Sequence, residues 1–80
     1  MTSGKREFVV FGFISTYLAL DAETLLDDMV IDVVAIPAPA SISALCGLAM
    51  RVPADEAERS AQYLNNAEIP ISAQVAMEDY

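Results

Sequence analysis

Cys46 is the side chain in this 80-residue sequence best suited to covalent chemistry, since a thiol supplies a nucleophile near neutral pH more readily than a hydroxyl. It stands in a stretch, Val33 to Met50, that carries no charge, and all twelve carboxylates lie outside Val33 to Val52. The formal net charge of −8 therefore divides into +1 within that window, from Arg51, and −9 elsewhere. A thiolate is least opposed where carboxylates are absent. Backbone N–H groups of a turn opened by Gly47 and the nearby serines could lower its pKa further. From composition alone the commoner role of a single cysteine is that of a small buried hydrophobe. Ser41 and Ser43 read as turn hydroxyls, because no His or Lys stands beside them as a base. One Cys and no His exclude an internal disulfide, a multi-thiolate zinc site and the usual haem ligands, so neither a metal nor a cofactor is expected. The pairs Asp27–Asp28 and Asp55–Glu56 fall on exposed helix faces and read as solubilising charge.

A chain of this length holds one hydrophobic core, and a 55% hydrophobic, 20% charged composition is that of a folded domain and not of a disordered tail. The acidic balance sets nucleic-acid binding aside. Two basic residues, Lys5 and Arg6, precede an apolar run, but the run is short and broken by Gly12, so no signal peptide is read. The long uncharged stretch is interrupted by Pro37, Pro39 and Gly47, which argues against a membrane helix. A cytoplasmic protein without a membrane segment is expected.

Phe8 to Ile14 lacks alternation and predicts a strand buried on both faces, hence central in its sheet. Ser15 or Thr16 can cap a helix whose apolar side reads as Leu18, Ala22, Leu25 and Met29. Ile31 to Ile36 predicts a second strand, ended by Pro37, and Gly47 to Val52 a third with Leu48, Met50 and Val52 on one face and Ala49 and Arg51 on the other. Pro53 opens a second helix with the stripe Ala57, Ala61, Leu64, closed by Asn65 or Asn66 in the left-handed conformation. Ile69 to Val75 alternates as a last strand, placed at an edge by Pro70. The order β-α-β-β-α-β predicts an α+β, ferredoxin-like sandwich: a four-stranded antiparallel sheet in the order 4-1-3-2 with both helices on one face. The expected domain spans 8–76, with a flexible segment at 1–7 and a tail at 77–80. Ala49, Arg51 and alternate side chains of the first strand are expected to be exposed on the outer sheet face.

The string Ile36-Pro37-Ala38-Pro39, followed by Ile42-Ser43 and Cys46-Gly47-Leu48-Ala49, resembles the signature of a family of small bacterial proteins described as selenium/sulfur carrier-like. In that family a Pro-x-Pro turn leads through Arg-Glu-Ile-Ser to a Cys-Gly pair and a strand. Phe13, Ser15, Thr16, Ala19 and Glu23 are similar to its strand-to-helix pattern, so the likeness covers most of Phe8 to Ile69. Ala40 and Ser41 stand where the family has Arg-Glu. The resemblance implies that Cys46 carries a sulfur or selenium atom as a persulfide or selenosulfide, received as sulfane sulfur or reduced selenium from a donor such as a cysteine desulfurase. It also implies a downstream acceptor enzyme and a loop shaped by Pro37, Pro39, Ser43 and Gly47; from the residues themselves, Ser41 of the serine-rich turn and Arg51, the one charge of the window, are added as support for the thiolate. Such a protein is a carrier and not a self-sufficient enzyme. The alternative reading is a non-catalytic interaction or ligand-sensing module that forms a homodimer through its sheet. Under the carrier reading, Ala38, Ala40, Ile42 and Leu45 are expected to make an apolar island around Cys46, met by a partner with a basic rim.

Overall fold

Val10 and Phe11 are consecutive in the first strand, point to opposite faces, and are both 0% exposed. The computed structural model describes residues 6–42 and 47–79, and shows how one short chain covers both faces of that strand. Strand β1 (Arg6–Gly12), helix α1 (Thr16–Asp28), strands β2 (Val34–Pro37) and β3 (Leu48–Pro53), a 3₁₀ turn (Ala54–Glu56), helix α2 (Ala57–Asn66) and strand β4 (Ala73–Asp79) follow in that order. The strands form an antiparallel sheet ordered β2-β3-β1-β4, which is the expected order read from its other edge. Phe11 shares a core with Met50 and Val52 of β3, with Ala19, Ala22 and Leu26 of α1, and with Ala57 and Leu64 of α2. Both helices therefore lie on the Phe11 face, and the architecture is the α+β, ferredoxin-like one. Among the described residues no helix is long and apolar enough to cross a membrane.

Ser15 caps α1, its Oγ accepting the Leu18 N–H at 3.2 Å. The helix buries Ala19, Ala22 and Leu26, with Leu18 and Leu25 half-buried beside them. Met29 does not continue the stripe as expected: it is the C-cap and is exposed. In α2 the expected stripe of Ala57, Ala61 and Leu64 packs on the core, joined by Ser60, whose buried hydroxyl donates to the Glu56 carbonyl at 2.7 Å.

Both helices stop in the same way. The Ile31 N–H donates to Leu26 O and the Val30 N–H to Asp27 O; the Ile69 N–H donates to Leu64 O and the Glu68 N–H to Asn65 O. This is the Schellman pattern, in which the residue after the cap adopts positive φ and the next apolar residue folds back on the last turn. The left-handed residues are Val30 (φ 61°) and Glu68 (φ 62°). Asn65 and Asn66, expected in that role, are inside α2. Burial decides the site: Ile31 and Ile69 must reach the core, and the residue before each takes the strain.

The strand limits shift for the same reason. Ile31 and Ile69 close helices instead of opening strands, so β2 starts at Val34 and β4 at Ala73, and Pro70 precedes the edge strand instead of lying in it. A 3₁₀ turn separates Pro53 from α2. At the far end, pairing of β1 with β4 runs through Phe8↔Met77 and Glu7↔Glu78 to Arg6↔Asp79. The outer sheet face also departs from expectation, because Ala49 is 0% exposed.

A β-branched residue at positive φ costs about 1–2 kcal/mol, and Val30 is 86% exposed, so it recovers little by packing. Val30→Gly is expected to stabilise the fold by roughly 0.5–1 kcal/mol once the extra freedom of glycine in the unfolded chain is subtracted. Urea denaturation of the two proteins checks this, and a lower midpoint for the variant would contradict the assigned strain.

Candidate functional site

The connection between β2 and β3 is where the sequence places its nucleophile. Its base is closed by the antiparallel pair Pro37↔Leu48 and by the Ala38 N–H donating to Gly47 O at 3.0 Å. The chain then turns at once: the Ile42 N–H donates to Pro39 O at 2.9 Å, closing a four-residue turn with Ala40 and Ser41 at its exposed centre. Those two central positions are the ones where the resembling family carries Arg-Glu, so the replaced charges belong to a solvent-facing turn.

Ile42 holds this turn down. It is 6% exposed and packs with Val10 and Ala49 on the outer face of the sheet, flanked by Ile36, Ala38, Ala73 and Val75. A second small core thus lies opposite the helices, which is why Val10 and Ala49 are buried. Gly12 makes the contact possible, since a Cβ built there would stand 2.8 Å from Ile42 Cγ2. Read from sequence, Gly12 is an interruption of a strand; in the fold it is the floor on which the loop rests. A glycine inside a strand is the signal for such a close approach. Contrary to the expectation of an exposed apolar island, Ile42 is buried, whereas Ala40 is exposed.

Cys46 and Ser43 lie outside the described residues, as does Leu45. The residues bounding them are anchored, Ile42 by packing and Gly47 by its hydrogen bond. Gly47 has φ 70° and open space where a Cβ would go, so its glycine identity answers to backbone conformation alone. Pro37 ends β2, and the Pro39 carbonyl accepts the turn hydrogen bond.

Arg51 lies in strand β3. It is four residues beyond Gly47, about 13 Å along an extended strand. Its guanidinium lies over the Phe8 ring, 4.2 Å from the centroid, and Phe8 pairs with Pro53 at the end of β3 away from the loop. Arg6 lies over the same ring at 5.0 Å. This geometry makes the Arg51 guanidinium a cover for the Phe8 ring. Grooves lined by Glu7, Ala54 and Met77 and by Arg6 and Asp55 open at that distant end as well. Among the described residues no group of three acidic or sulfur side chains could hold a metal ion.

The β1–α1 connection reaches the same end of the sheet as the loop, a neighbourhood that strand and helix assignments alone do not reveal. Gly12 pairs with Ala49 and Ala73, and its carbonyl accepts the Ser72 N–H at 2.9 Å. Ile14 and Tyr17 follow directly and are exposed.

Gly12→Ala is expected to cost about 1–3 kcal/mol by forcing Ile42 off the sheet. Ile42→Leu removes the Cγ2 methyl, so in the double variant the cost of Gly12→Ala should fall; additive losses in chemical denaturation would disprove the direct clash. For Gly47→Val the expected loss is about 1–2 kcal/mol from backbone conformation, with Gly47→Asn losing clearly less, measured in the same way.

No curated protein and no solved structure matches the chain. A family model does, over residues 8–75, from the start of the buried part of β1 to the middle of β4 and across the whole β2–β3 loop. The chain therefore belongs to the family described as putative Se/S carrier protein-like.

Proposed function

We propose that this protein carries sulfane sulfur, or selenium in the same oxidation state, on Cys46. The observation that carries the reading is family membership over a segment whose single thiol stands beside Gly47, the residue that closes the base of the β2–β3 loop. The Cys46 thiolate attacks the terminal sulfur of a persulfide on a donor such as a cysteine desulfurase. The new S–S bond forms as the donor S–S bond breaks, and the donor thiolate leaves with the electron pair. The terminal sulfur keeps its oxidation state, so the step needs no oxidant or reductant. The thiolate of an acceptor enzyme repeats the exchange and frees Cys46. A selenosulfide forms by the same displacement at selenium. One cysteine suffices for accepting and releasing an atom, whereas a dithiol oxidoreductase requires a resolving partner. Pro37, Pro39, Ser41, Ser43 and Gly47 shape the loop that presents the thiol. A cytoplasmic setting, where thiols stay reduced, suits this chemistry.

After incubation with a desulfurase and cysteine, mass spectrometry is expected to find one added sulfur on Cys46, none in Cys46→Ser, and a melting temperature for Cys46→Ser within a few degrees of the parent, as for a change under about 1 kcal/mol. A Cys46 that reacts with a thiol reagent only when the protein is unfolded would overturn the carrier reading.

A further inference from the structure

Strand β4 is the longer of the two sheet edges and the less protected. Among the described residues it pairs with β1 alone, so every second residue of Ala73–Asp79 turns its N–H and C=O away from the sheet. Such a row is a template for another strand, and proteins that must stay apart blunt it with proline, lysine, a bulge or a short strand. The other edge is blunted: β2 has four residues, ends in Pro37 and is followed closely by Pro39. β4 has none of these devices. Its seven residues include no Pro, Lys or Arg, and its register with β1 runs from Gly12↔Ala73 to Arg6↔Asp79 without a bulge.

On the outer sheet face, Val75 lies across from Val10 and packs against the small core of Val10, Ile42 and Ala49, while Met77, across from Phe8, is 37% exposed. That core therefore runs out to the edge and stops there. On the helix side, Gln74 and Ala76 lie across from Phe11 and Val9 and are exposed. Acidic residues enter the strand only at its last two positions, Glu78 and Asp79.

This distribution selects the occupant. A second copy of the strand laid antiparallel and centred on Ala76, so that all seven residues pair, sets Val75 against Met77, Gln74 against Glu78 and Ala73 against Asp79. No acidic residue then meets another, whereas parallel pairing in step would set Glu78 and Asp79 against their own copies. Each Val75–Met77 pair prolongs the outer-face core across the junction.

We propose that β4 is a self-association edge, at which two copies of this chain join antiparallel about Ala76 into one eight-stranded sheet. The pairing goes beyond the carrier reading and does not depend on the chemistry of Cys46. A single strand pair buries less than the about 1,200 Å² at which standard interfaces begin, so the dimer is weak and reversible. Each copy carries −8, which opposes approach at long range; association strengthens as salt screens that repulsion over a Debye length of about 8 Å at physiological ionic strength.

Sedimentation equilibrium of the full chain, from micromolar to millimolar protein and in a reducing buffer that keeps Cys46 from bridging two copies, tests this. The expected mass rises from one chain to two, and more readily at high salt. Gln74→Lys faces Glu78 of the second copy at two symmetric positions and is expected to tighten the dimer about threefold or more; Ala76→Glu sets like charges opposite each other at the axis and is expected to weaken it about fivefold or more. Thr24→Lys and Thr24→Glu make the same changes in net charge on α1, the helix packed on α2 and β3, and are expected to stay within about twofold of the parent. All three positions are exposed, and superimposable melting curves verify that the variants fold; if Ala76→Glu melts lower, Gln74→Lys against Thr24→Lys decides alone. A single-chain mass throughout overturns the proposal. So does a dimer that loosens as salt rises, or one that the β4 variants shift no further than the Thr24 variants do.

Discussion

Burial of β1 on both faces is the constraint from which the rest of this small protein follows. Phe11 and Val10 cannot both be removed from water by a single layer, and eighty residues hold too little chain for a third layer of helices or strands. Two helices cover the Phe11 side. The Val10 side is covered by a loop, pinned through one isoleucine to a position where the strand has no side chain. Ile42, in the connection that carries the single cysteine of the sequence, is therefore itself part of the core.

That economy shapes the distribution of strain and charge. Each helix ends by turning an apolar residue back into the core, and the cost falls on the residue before it, a valine in one case and a glutamate in the other. Carboxylates are confined to the helices, the connections and the far ends of β1 and β4, leaving β2, β3 and the loop between them free of negative charge. The guanidinium groups of Arg6 and Arg51 are spent on Phe8 at the opposite end of the sheet.

Periodicity and punctuation made the architecture legible. The run Phe8 to Ile14 marked a central strand, the alternation from Leu48 to Val52 marked its neighbour, and proline and serine marked where elements end and begin; a four-stranded antiparallel order with two helices on one face follows from these and from the handedness of crossovers. The Pro-x-Pro and Cys-Gly spacing pointed to the family, which the match over residues 8–75 bears out. Less legible were the ends of elements. Ile31, Ile69 and Ile71 look like strand residues by type, yet they precede strands β2 and β4 because they are needed in the core beside the helices.

Local pattern in the amino-acid sequence was enough to determine the order of elements, the two-sided burial of β1, the absence of carboxylates from the segment that carries the thiol, and the family. These depend on residue type and near-neighbour spacing, which a linear string records. Only the tertiary structure decided that Ile42 is core, that Gly12 is the floor beneath it, that Arg51 turns to Phe8, and that the start of α1 shares an end with the thiol loop. Each of these is a contact between residues far apart in the chain, selected by which surfaces remained uncovered after the sheet had formed, and no spacing within a single segment encodes that outcome.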